Sequence, residues 1–114
     1  MITNQHLQRT HEFMAAIKTT CVDRRLPSPD IHEVIITERR NRVFAFAVFP
    51  QAVGHKQEAY GDERFLHQLS STLHGMPVAV SNHTGFRLAA LIDGPREVLP
   101  ERVAYPGHQP GRVR

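Results

Sequence analysis

At 114 residues, with 40% hydrophobic and 22% charged residues, the chain has the size and balance of one folded domain and is too polar for a membrane protein. No apolar run approaches the ~18 residues that a bilayer-spanning helix needs. The net charge of +3 is spread along the chain, with seven Lys or Arg against five Asp or Glu in residues 1–49 and seven against six in residues 50–114, so there is no basic tail that demands a nucleic acid.

The segment Met1 to His6 lacks a basic start followed by an apolar stretch, so no secretory signal is expected and a cytoplasmic location fits. A helix is predicted from Asn4 to Cys21, capped by Thr3 or Asn4, with Leu7, Met14, Ile17 and Cys21 on its apolar face. Cys21 is the only cysteine and is expected as a small buried apolar side chain. Pro27 and Pro29 end this region.

A hairpin follows. Its strands are predicted over Ile31–Thr37 and Arg42–Phe49, joined by Glu38-Arg39-Arg40-Asn41. The second strand is apolar on both faces, which places it centrally in a sheet or with one face against another chain. Gln51 to Gly61 reads as a loop, and Asp62 caps a second helix whose stripe is Phe65, Leu66, Leu69 and Leu73, stopped by Gly75. A second hairpin is predicted over Pro77–Ser81 and Phe86–Ile92 around Asn82-His83-Thr84-Gly85.

The predicted fold is therefore α+β and two-layered, a four-stranded antiparallel sheet with two helices in the order α-ββ-α-ββ, occupying residues 1–95. Residues 96–114 carry Pro100, Pro106, Gly107, Pro110 and Gly111 without periodicity and read as an extended C-terminal arm or linker.

Motifs for chemistry are not evident. Eight histidines occur, but none at the four-residue step that pairs two imidazoles on adjacent helical turns, and one cysteine cannot build a zinc finger. His67 and His74 stand seven apart, about two turns, so solvated or helix-end roles are expected. There is no nucleophile elbow and no glycine-rich phosphate loop. The expectation is a chain without catalytic residues, metal or cofactor.

Two binding surfaces stand out instead. Arg39, Arg40 and Arg42 at the first hairpin tip, with Arg24-Arg25 before it, suit phosphate contacts; the same residues suit a solvated turn, which is the commoner case, and the sequence leaves both open. Val43, Phe44, Phe46 and Val48 exceed what one buried face needs and are the candidate interface for self-association into a homo-oligomer.

The layout of residues 31–114, and the connector Leu99-Pro100-Glu101-Arg102-Val103-Ala104-Tyr105-Pro106 followed by Gly111-Arg112-Val113, resembles the region preceding the motor in FtsK/SpoIIIE-type DNA translocases. That resemblance implies a small domain that helps assemble a ring around DNA, with DNA or a protein motor as partner and no ATPase of its own, since the Walker motor is missing from this sequence. The order of elements is also similar to the Roadblock-like fold, which implies a dimeric scaffold. The resulting expectation is a non-catalytic interaction or assembly module, translocase-associated in the first version and a Roadblock-like scaffold in the second, with an enzyme of unrecognised class as a further alternative.

Overall fold

A computed structural model of the chain describes residues 1–50, 57–82, 85–95 and 102–104. Helix α1 spans Asn4–Asp23, strands β1 and β2 span Glu33–Arg39 and Arg42–Val48, and helices α2 and α3 span Gln57–Gly61 and Glu63–Thr72. Strands β3, β4 and β5 follow at Val78–Ser81, Arg87–Asp93 and Arg102–Ala104. The α+β architecture and its four predicted strands are present, all antiparallel.

Two elements were not predicted. A short helix, α2, lies within the stretch read as a loop, and residues 102–104 of the predicted arm add a fifth strand beside β3, giving the order β1-β2-β4-β3-β5. Both are short: α2 has five residues and β5 three, too few for a periodic signal to appear in the sequence. The remainder of the arm, residues 51–56 and the tip His83-Thr84 lie outside the described residues. Among the described residues, no helix is long and apolar enough to cross a membrane.

Alternation along the strands sorts the side chains into two layers. Val43, Ala45 and Ala47 of β2, Val78 and Val80 of β3, and Leu88 and Ala90 of β4 face the helices and pack with Phe13, Ile17, Phe65, Leu66 and Leu69. Phe44 of β2, Ala79 of β3 and Leu91 of β4 form a smaller buried cluster on the opposite face, with Phe46 packed beside it. Of the two placements expected for it, β2 takes the central one, flanked by β1 and β4.

The apolar face of α1 matches the expected one at Ile17 and Cys21, which are fully buried, and at Met14, which packs against the core, but not at Leu7. The buried stripe is His6, Thr10, Phe13, Ile17 and Thr20, with Ala16 and Cys21 alongside, whereas Leu7 is 48% exposed. Phe13 decides the rotation, because its ring buries the largest apolar area available on the helix. Two polar members of the stripe are satisfied locally: Thr10 Oγ1 donates to the His6 carbonyl at 2.8 Å, and His6 bonds to Asp93, whereas Thr20 Oγ1 is buried without a hydrogen-bond partner among the described residues. The helix begins at a capping box in which Thr3 accepts from the His6 N–H and the His6 ring accepts from the Thr3 N–H.

An aromatic cluster anchors α2. Tyr60 meets Phe49 and Phe65 edge-on at centroid distances of 5.4 and 6.0 Å, Phe86 meets Phe49 at 5.1 Å, and the Tyr60 hydroxyl donates to the Pro27 carbonyl. Asp62 caps α3 as predicted, its carboxylate accepting from the Phe65 N–H at 2.7 Å. The chain leaves α3 through His74 and Gly75, both at positive φ, and the Gly75 N–H closes on the Ser70 carbonyl.

Candidate interaction surface

The first hairpin is tighter than the sequence suggested. Its strands extend to Arg39 and from Arg42, leaving a two-residue turn in which Arg40 (φ 53°) and Asn41 (φ 64°) are both left-handed. Positive φ at both central positions is the turn type that matches the twist of paired strands. Arg39 and Arg40 are exposed at this tip, whereas Arg42 is half-buried and its Nε donates to the Pro95 carbonyl at 3.2 Å. The three predicted arginines are thus close in space, but one is engaged in holding the chain end of β4 against the hairpin.

The predicted self-association residues separate. Val43 faces the helices and is 3% exposed, and Phe44 is 6% exposed within the opposite cluster, so neither is offered to a partner. The reason is the two-residue period of a strand, which sends Val43 to one face and Phe44, Phe46 and Val48 to the other. Phe46 and Val48 are half-buried, and the Arg87 guanidinium lies 6.0 Å from the centre of the Phe46 ring.

A further apolar surface lies elsewhere. Helix α1 packs chiefly over β4 and β2, so β1 extends past it at the edge of the sheet. The space left between helix and edge strand is a groove of about 940 Å³, with Leu7 and Met14 on the helix side and Ile31, Val34 and Ile36 on the strand side. Val34 is 40% exposed, and His11, Lys18 and Asp30 supply charged or polar groups at the rim. Sequence reasoning placed Leu7 and Met14 in the core; Met14 does pack against it while also lining the groove, Leu7 does not, and the missed signal was Phe13, which heads the buried stripe.

Strand β1 itself is a regular edge. All seven residues pair with β2 in one unbroken register, without a bulge, proline or lysine, and Glu33, Glu38 and Arg39 place charges along it. Natural sheets blunt an edge of this length with bulges, prolines or charged side chains, and of these β1 carries only the charges. The opposite edge, β5, is three residues long.

A second, polar hollow of about 370 Å³ lies beside the N-terminal half of α1, with Arg9, Glu12, His74 and Asp93 in its lining. Its groups are largely structural. A bulge between Val43 and Phe44 of the β2–β4 ladder turns Asp93 toward the helix side, where its carboxylate lies 2.9 Å from His6 Nε2. His6 Nδ1 accepts from the Thr3 N–H, so the ring proton is on Nε2 and is donated to Asp93. This hydrogen bond holds the Asp93 carboxyl below its ordinary range against the opposing effect of desolvation, with lesser help from Gly94's backbone and the Arg9 charge. Arg9 donates to the Ile92 carbonyl at 2.8 Å, so α1 is fastened to the end of β4 at two points.

His6 is a helix-end histidine, buried and doubly hydrogen-bonded, while His11, His67 and His74 are exposed. Among the described residues, no group of three or more His, Cys, Asp or Glu is arranged to hold a metal ion. Cys21 is fully buried and free, and burial pushes its thiol up to about 11, which keeps it protonated and unreactive at neutral pH.

Compared with known proteins, the chain matches no protein-family model, no curated protein and no solved structure.

Proposed function

We propose that the chain is a non-catalytic, self-associating assembly module that docks a polypeptide along β1 and the groove beside it. The observation that carries this reading is the juxtaposition of a regular, seven-residue edge strand with an apolar groove of about 940 Å³. An added strand gains backbone hydrogen bonds along the edge, and its alternate side chains enter the groove. Exposed apolar surface of this kind is the ordinary mark of a protein contact.

The test is the mass in solution of the parent and of Val34→Lys. Lysine at an edge position opposes strand addition. Val34 is 40% exposed, so the fold should tolerate the change to within about 0.5 kcal/mol. The parent is expected to sediment as an assembly at tens of micromolar, and the variant as a monomer with an unchanged melting temperature. A parent that stays monomeric in that range overturns the reading.

A second reading, contact with DNA phosphates as part of a translocase-like assembly, is favoured by the exposed Arg39 and Arg40 at the two-residue turn. Such binding is indifferent to base sequence and weakens steeply with salt, because each neutralised phosphate releases counterions. Replacing Arg39, Arg40 and Arg42 together by alanine should lower the salt slope of DNA binding by about one for each phosphate left unneutralised. Because Arg42 also serves the Pro95 carbonyl, most of the change is expected from the other two. Equal DNA affinity of parent and variant removes the tip from consideration.

A further inference from the structure

We infer that the polypeptide docked on β1 is the β1 strand of a second copy, paired antiparallel about a two-fold axis at Ile36. This rests on the assembly reading and adds the docked strand, its orientation and its register. Charge along the strand points to that pairing. The register of β1 against β2 places Glu33, Ile35, Thr37 and Arg39 on the sheet face opposite the helices, and Val34, Ile36 and Glu38 on the helix face. Glu33 and Arg39, both exposed, stand three residues on either side of Ile36 and carry opposite charges.

A strand with that pattern is complementary to itself when reversed. Pairing two copies with Ile36 opposite Ile36 sets Glu33 of each directly across from Arg39 of the other, twice in the interface. Ile35 then faces Thr37 on the same side. Shifting the pairing by one residue sets Glu33 against Glu38 in one direction and against Arg40 in the other, and in both it turns each strand's apolar set to the other copy's opposite face. Like charges directly opposite destabilise a ladder, and opposite charges support it.

The groove fits the same axis. A two-fold axis perpendicular to the sheet keeps both α1 helices on one side, so the two grooves adjoin across the axis. Leu7 and Met14 of each copy, half-exposed or partly buried in the single chain, then share one apolar trough with Val34 and Ile36 of both. The interface is isologous and closes at two copies, which consumes the long edge and leaves the three-residue β5 edge outside. Glu38, whose carboxylate meets the Met1 amino group, lies at the strand end opposite Val34 of the second copy and reaches solvent past it.

A charge-exchange experiment tests this pairing on the full chain. Sedimentation and native mass spectrometry are compared for the parent, Glu33→Arg, Arg39→Glu, and an equimolar mixture of the two variants. Each variant alone brings like charges face to face at two places, and its dimer dissociation constant should rise by roughly tenfold to a hundredfold. The mixture restores opposite charges at both places and should form a one-to-one heterodimer of near-parental affinity. Circular dichroism melting of each variant checks that the fold is intact. A dimer that neither substitution weakens, or a mixture that does not recombine, overturns the β1 pairing while leaving the assembly reading in place. A strictly monomeric parent overturns both.

Discussion

Replacing Gly94 by alanine should lower stability by about 2–4 kcal/mol, a fall in melting temperature of roughly 10–30 °C for a domain of this size. Gly94 has φ +113°, a conformation that L side chains rarely adopt. A Cβ there would lie 2.6 Å from the Asn41 carbonyl oxygen and 3.0 Å from the Arg42 Cα. Both are backbone atoms of the first hairpin tip, so the clash is relieved only by moving β1 and β2 away from the end of β4. Gly85 provides the control, since it has φ +100° but nothing within 4 Å of its would-be Cβ. Its alanine variant should show the conformational part alone, about 1 kcal/mol or slightly more. Thermal melts of the two variants separate backbone strain from steric clash, and equal shifts would mean that the tip yields freely at Gly94.

Phe13→Ala should lower stability by about 3–5 kcal/mol, because the ring is fully buried between α1 and the sheet and its removal leaves a cavity that the rigid strands beneath cannot close. Leu7→Ala, on the same helix and also apolar, should shift stability by less than about 1 kcal/mol in the single chain, since Leu7 is 48% exposed. Denaturant unfolding of both variants at a concentration below assembly decides which stripe of α1 is the core. A larger loss for Leu7 than for Phe13 would reverse the orientation of the helix. The same pair bears on the groove: Leu7→Ala should weaken assembly more than it weakens the fold.

That contrast also marks how far local pattern carried. The long periodic elements were legible: the α1 span, the Asp62 cap of α3, the Gly75 stop and both hairpins follow from caps, turn residues and β-branched runs that act within a few residues of one another. The rotation of α1 was legible only in part: Ile17 and Cys21 are buried as expected, but Phe13 rather than Leu7 completes the buried stripe, and that choice depends on where the helix lies over the sheet. It lies over β4 and β2. Likewise, the excess of apolar side chains in β2 left a central strand and a partnered face both open, and the residues named as one interface, Val43 with Phe44, Phe46 and Val48, include both faces of the pleat.

By itself, the sequence determined the α+β class, the inert burial of Cys21 and the arginine-bearing hairpin tip, all of which depend on side-chain type and short-range spacing. Only the tertiary structure decided that β1 is an edge, that the predicted arm contributes a strand, that His6 reaches Asp93 across 87 positions, and that a groove opens between Leu7 and Val34. Each of these depends on the order of strands in the sheet and the lateral offset of a helix above it. Those are set by the summed packing of residues far apart in the chain, for which no local spacing carries a signal.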